Sequence, residues 1–210
     1  SQKYLKRFFH QEYNLKEPDE YEFIKFLFDR DIHDTDVLLN GLPEENYPDK
    51  DLNIVMIHIF SKYFDLTLRD IEQCINTLST IVITWDKNNG KIILPYLLFF
   101  IMAKQNHNEI FEEQKKGYNY QQLKEYEDKI SNKRVFFESL ELNSSHWKPQ
   151  SKKVNISDII STIDSFIKNP GTYHNSFSTH IMRNIIHNNY NNSLTSINYP
   201  DLVESAAQLK

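Results

Sequence analysis

Apolar residues recur along this chain with helical spacing. Leu52, Val55, Met56, Ile59, Phe60 and Tyr63 fall at i, i+3, i+4, i+7, i+8 and i+11, a continuous stripe that predicts a helix opening at Asp51 and stopping near Phe64. Thr67 stands three residues before Asp70, a capping box with an acid at its third position. Leu68, Ile71, Ile75, Leu78 and Val82 follow at spacings of three and four and predict a second helix of about five turns. Trp85-Asp86-Lys87-Asn88-Asn89-Gly90 ends it, with Gly90 or Asn89 suited to a left-handed conformation, and an apolar helix follows over residues 95–104. Asn108 to Lys116 and Tyr120 to Lys129 read as two more helices with Gly117 as the break.

The flanks are less regular. Residues 4–15 alternate imperfectly and predict a short strand or a helix-to-strand passage, stopped by Pro18. Pro18, Asp19 and Glu20 open a helix by placing acids near its positive end, and Phe23, Ile24, Phe26, Leu27 and Phe28 supply a broad apolar face that ends near Asp29. Residues 31–50 are acidic and rich in breakers and read as a loop. Residues 131–155 are weakly periodic and read as a linker or irregular crossing. Asn155 and Asp158 cap a helix with the face Ile156, Ile159, Ile160, Ile163, Phe166 and Ile167, ended by Asn169-Pro170-Gly171. Ser178 caps another through Ile181, Met182, Ile185 and Ile186, and a last helix starts at Pro200. The expected fold is mainly α: a helical lid-type bundle over residues 1–130 with a short N-terminal strand, a linker over 131–155, and a second helical segment over 156–210.

Composition narrows the function. The 210 residues carry 24 Lys+Arg against 29 Asp+Glu, a net charge of −5, which excludes a strongly basic nucleic-acid binder. Residues 131–210 alone hold 8 basic and 6 acidic residues, so the stretch with Lys133, Arg134, His146, Trp147, Lys148, Lys152 and Lys153 reads as a solvated linker, and nucleic acid is not an expected partner. Only 4 Gly occur, at positions 41, 90, 117 and 171, too dispersed for a Walker A loop or a dinucleotide fingerprint. The single Cys74 permits no intrachain disulfide and suits a reducing compartment, and with no secretion signal visible the expected address is cytoplasmic. The longest apolar run, residues 92–103, falls short of the roughly 20 residues a transmembrane helix needs and reads as a buried core helix. The chain opens on Ser1 without Met amid structured sequence, as expected for a piece of a larger polypeptide.

Classical sites are poorly supported. His180 and His187 lie two helical turns apart, too far for one zinc without a bend that also brings in His174, so no metal is expected. Arg183 and His187 have three residues between them where the Arg-then-His motif of HEPN ribonucleases has four, so nuclease chemistry is not expected either. The acids of residues 17–50 have no nucleophile or base to work with.

The most informative stretch is Ser61-Lys62-Tyr63-Phe64-Asp65-Leu66-Thr67-Leu68-Arg69-Asp70-Ile71-Glu72, which resembles the LSLRDIER-type signature of the KAP family of P-loop NTPases. Tyr4-Leu5-Lys6-Arg7-Phe8-Phe9 through Leu15 looks like that family's aromatic-rich segment after the nucleotide core. Pro95-Tyr96-Leu97-Leu98 through Lys104, then Glu109-Ile110-Phe111, is similar to its apolar helix and the helix after it. Lys16 and Glu17, between Leu15 and Pro18, depart from the family pattern, as does the position of Cys74. The likeness covers residues 1–125.

The resemblance implies the helical lid and C-terminal part of an NTPase whose phosphate loop and magnesium-binding strand precede Ser1. That missing P-loop domain is then the first partner, with a homo-oligomer or protein contact beyond it. ATP and Mg belong to the full-length parent; the fragment holds neither, has no catalytic residue and should not hydrolyse ATP alone. By the same resemblance Arg69 is the candidate nucleotide-sensing residue, its forked guanidinium suited to phosphate, with Lys6 and Arg7 behind it. Arg69 has an alternative role, pairing with an acid on a neighbouring helix or sitting in solvent. Relatives of this type include membrane-associated signalling scaffolds and phage-exclusion proteins. The rival reading is a stand-alone helical interaction module with no nucleotide role, touching a protein through the acidic 31–50 stretch or the Ile-rich 156–186 helices.

Overall fold

Local capping chemistry sets most element boundaries. The computed structural model describes residues 19–42, 47, 49–117, 120–129, 137–141, 150–168 and 197–208. Helix α1 (Glu20–Asp31) starts where Asp19 accepts the amides of Tyr21 and Glu22. Asp51 does the same for Asn53 and Ile54 at the start of α2 (Leu52–Tyr63), and Thr67 and Asp70 form the capping box that opens α3 (Leu68–Thr84). A 3-10 turn at Lys87–Asn89 ends in Gly90 at φ 86°, a left-handed conformation that glycine adopts without cost. Helices α4 (Leu94–Asn106), α5 (Asn108–Lys116), α6 (Tyr120–Lys129), α7 (Ile156–Lys168) and α8 (Tyr199–Gln208) complete the eight α-helices among the described residues. The chain is therefore mainly α, a helical bundle.

Two strand pairs that draw on the expected loops are corrections to the sequence reading. Leu38–Leu39 (β1) lies in the acidic 31–50 stretch and pairs in parallel with Ile92–Ile93 (β2), Leu38 opposite Ile92 and Leu39 opposite Ile93. All four are buried, so the hydrogen bonds of this short ladder satisfy backbone groups that lie inside the core. Residues 137–141 (β3) and 150–154 (β4) form an antiparallel pair in the stretch read as a linker, Phe137 opposite Val154 and Glu141 opposite Gln150. A third correction concerns α1: Ile24, Leu27 and Phe28 are buried, whereas Phe26 is 61% exposed, with the Arg30 guanidinium 5.6 Å from its ring. The residues expected as a strand at 4–15 and as a helix at 178–186 lie outside the described residues.

The core is organised around α4. Its residues from Leu94 to Ala103 are all buried, and it packs against α2, α3, α5, α7, α8 and β2. Such all-round burial explains its lack of a polar face. No described helix is long and apolar enough to cross a membrane. The C-terminal helices belong to this core: Tyr96 of α4 donates to the buried Asp164 of α7 at 3.0 Å, and Tyr199 of α8 accepts the Ile93 amide at 3.0 Å. Glu204 of α8 reaches Lys115 of α5 at 2.7 Å and Lys104 of α4 at 3.7 Å.

The α1–α2 contact carries a proton-linked term. Glu20 binds Lys62 at 2.6 Å and lies 3.6 Å from His58 Nε2, while Tyr21 meets the imidazole edge-on with centroids 5.7 Å apart. Burial lowers the His58 pKa, Lys62 and Lys50 add to the lowering, and Glu20 and Asp19 oppose it. An unfolded histidine takes up its proton at about pH 6.5 while folded His58 resists. The stability contributed by neutral His58 is therefore complete above about pH 6.5 and is lost as the pH falls from there through the lower folded pKa. His58→Gln should flatten the urea midpoint between about pH 7 and 5 relative to the parent chain. Equal slopes in the two proteins would contradict this.

Candidate functional site

The turn between α2 and α3 places Arg69. Helix α2 ends in a Schellman motif: Leu66 N–H donates to Ser61 O at 3.0 Å and Asp65 N–H to Lys62 O at 3.3 Å. Asp65 occupies the left-handed position at φ 52°, where a short polar side chain is tolerated in place of glycine. Buried Leu66 anchors the turn, and the capping box starts α3 immediately afterwards. Arg69 thus stands in the first turn of a helix whose start is fixed on both sides.

The end of α4 braces the same turn. Gln105 Nε2 donates to Gln73 Oε1 at 2.5 Å and to Asp70 Oδ1 at 3.3 Å, and Asn106 Nδ2 donates to Phe64 O at 3.1 Å. His107 Nε2 lies 3.4 Å from the same carbonyl, and the imidazole packs against Phe64 and Tyr126 with centroids 5.9 and 5.1 Å away. Three consecutive polar residues of the α4–α5 junction therefore hold the α2–α3 turn. The signal in the sequence is a polar run, Lys104 to Asn108, that breaks off a purely apolar helix, but its partners were not readable there.

Asp70 accepts three hydrogen bonds in this arrangement. Its Oδ2 accepts the Thr67 hydroxyl at 2.6 Å and the Thr67 amide at 3.1 Å, while Oδ1 takes Gln105. The Thr67 hydroxyl is the main cause of a pKa below the usual carboxylate range; burial works against it, and the Thr67 amide, Gln105 and the Arg69 charge reinforce it. Arg69 itself is exposed and forms no ion pair among the described residues. The arrangement offers a permanent cation with its donors unspent, at a helix N-terminus whose dipole also favours an anion. Lys6, Arg7, His174, His180, Arg183 and His187 lie outside the described residues. Among the described residues, no group of three or more His, Cys, Asp and Glu is placed to hold a metal ion.

Beside the braced turn a cleft of about 430 Å³ opens between α5 and α6. Glu109, Glu113 and Glu125 line it with Ile110, Leu123 and Tyr126. The Tyr126 hydroxyl is buried without a hydrogen-bond partner among the described residues, and burial, then the Glu109 and Asp65 charges, raise its pKa. The cleft is an acidic neighbour to the α2–α3 turn, reached through the Tyr126–His107 contact.

Compared with protein-family models, curated proteins and solved structures, the chain matches none.

Proposed function

We propose that the chain is the helical C-terminal part of a KAP-type P-loop NTPase and that Arg69 reads the phosphates of the nucleotide held by an upstream domain. The signature around Arg69 supports the family, and one observation carries the role: the guanidinium is exposed and unpaired among the described residues, on a helix start fixed by the Thr67–Asp70 box and the Gln105 brace. A phosphate contact requires that combination of free donors and a fixed origin. Nucleotide and Mg would be cradled by the upstream domain, because the dispersed glycines of this chain supply no phosphate loop. When bound, the nucleotide supplies the scissile phosphate bond; Arg69 supplies positive charge over it, and the bundle transmits the change in that contact to a partner or to a second copy. Phage defence and signalling are both uses such a coupling serves.

The test has two steps. The natural reading frame upstream of Ser1 should encode a loop ending in Gly-Lys-Ser/Thr. ATP turnover of the full polypeptide should then fall about 100-fold in Arg69→Ala and recover only in part in Arg69→Lys, which lacks the fork. Because Arg69 is exposed, the stability of the variant should stay within about 0.5 kcal/mol of the parent. A frame that opens directly before Ser1 would overturn the family assignment in favour of a stand-alone interaction module. Unchanged turnover in Arg69→Ala would overturn the sensing role.

A further inference from the structure

Two Arg-Asp dipeptides in this chain behave oppositely. In the last turn of α1, Arg30 closes on its neighbour Asp31 with two bonds, Nε to Oδ1 and Nη2 to Oδ2, each 2.7 Å. In the first turn of α3, Arg69 acts on the adjacent Asp70 through its charge but makes no hydrogen bond or ion pair with it. What differs is the occupancy of the carboxylate. Thr67 donates twice to Asp70 Oδ2 and the Gln105 amide reaches Oδ1, all uncharged donors that take three of the carboxylate's roughly four acceptor sites without spending Arg69.

We infer that Gln105 is a positioning residue that keeps Arg69 unlatched: Thr67 takes both sites of Asp70 Oδ2 and so excludes the two-bond pairing of Arg30 and Asp31, and Gln105, reaching Oδ1 from α4, competes with Arg69 for the oxygen that is left. The Nε2 group has two protons and both go to α3, one to Gln73 and one to Asp70, so the amide is held as well as occupied. Without it, Oδ1 loses its donor and the guanidinium one residue away is the nearest cation to replace it. The last turn of α4 therefore governs whether the cation on α3 is available. Its use toward a nucleotide rests on the function proposed above; the latch itself does not.

The experiment begins with the chain alone and no nucleotide. Exchange of the Arg69 Nε proton, followed by nitrogen-15 NMR, should slow about threefold in Gln105→Met, the scale of an exposed ion pair, and return to the parent rate in Asp70→Asn/Gln105→Met, where the charge that holds the latch is gone. Gln105→Asn, one methylene shorter, is the second variant and should slow exchange in the same direction. A merely structural brace would lower the thermal midpoint and leave Arg69 exchange unchanged; that result overturns the inference. In the full polypeptide, Gln105→Met should raise KM for MgATP about threefold with kcat held, since latching reduces the fraction of competent protein. Slowed exchange with an unchanged KM would keep the latch and overturn the nucleotide role of Arg69.

Discussion

Phe99→Ala should lower the unfolding free energy by about 3–5 kcal/mol, among the largest effects of any single truncation in this chain. Phe99 is fully buried on a helix whose residues 94–103 have no exposed side, its ring 5.9 Å from Phe64 and 5.3 Å from Phe100. Around it α4 is enclosed by α2, α3, α5, α7 and α8, so a cavity left by the ring is walled on all sides by packed helices that relax only in part. The cost is then the lost transfer energy of the ring plus the cavity term. Against a typical total of about 5–15 kcal/mol, this removes a large share of the stability. Phe26→Ala removes the same ring from a site that is 61% exposed and should change stability by no more than about 0.5 kcal/mol. Urea titrations followed by circular dichroism distinguish the two, provided the slope is common to both variants. Equal midpoints would mean that α4 is not the centre of the core.

The contrast between those two phenylalanines also marks what the sequence makes legible. Helices appear wherever the determining chemistry is local: the Thr67–Asp70 capping box lies where the residue types place it, α5 and α6 flank Gly117, and the acid ahead of each N-terminus caps α1 and α2. Periodicity states that a helix has an apolar side without stating its width. The crowded run from Phe23 to Phe28 therefore counts Phe26 as core, although Ile24, Leu27 and Phe28 are the buried ones, Phe23 packs against the core half-buried and Phe26 faces out. Strand β1 is illegible for a related reason. Two leucines in an acidic stretch carry no alternation to detect, and they become a strand only because Ile92 and Ile93, distant in sequence, are brought alongside.

The candidate site divides the same way. The place of Arg69 on a capped first turn is local and readable, whereas its freedom from pairing depends on an amide that arrives from another helix. No spacing rule joins Gln105 to Asp70, and neither residue type is distinctive. The Arg30–Asp31 pair and the Arg69–Asp70 dipeptide are identical as dipeptides; occupancy of the Asp70 carboxylate, local from Thr67 and tertiary from Gln105, separates them.

Tyr199→Ala should cost about 3–5 kcal/mol and Tyr199→Phe about 1–3 kcal/mol, and the two together test whether the C-terminal helix is part of the bundle. The ring is 1% exposed and meets Tyr96 edge-on with centroids 5.0 Å apart, while its hydroxyl accepts the Ile93 amide at 3.0 Å. That amide belongs to the parallel ladder from which α4 is launched, and Ile93 is fully buried. Phenylalanine keeps the packing and strands one interior N–H without an acceptor, a penalty of desolvation alone. Alanine loses the packing as well and uncovers Tyr96, whose hydroxyl donates to Asp164 on α7, so the damage spreads across both C-terminal helices. Burial also raises the pKa of the Tyr199 hydroxyl, with the Ile93 amide opposing the shift, and the group stays protonated through the neutral range. The difference between the variants should therefore be independent of pH from about 6 to 8, where a neutral phenol does not titrate. Variants as stable as the parent chain would detach α8 from the core. A graded loss, alanine beyond phenylalanine, places that end within the same cooperative unit that presents Arg69.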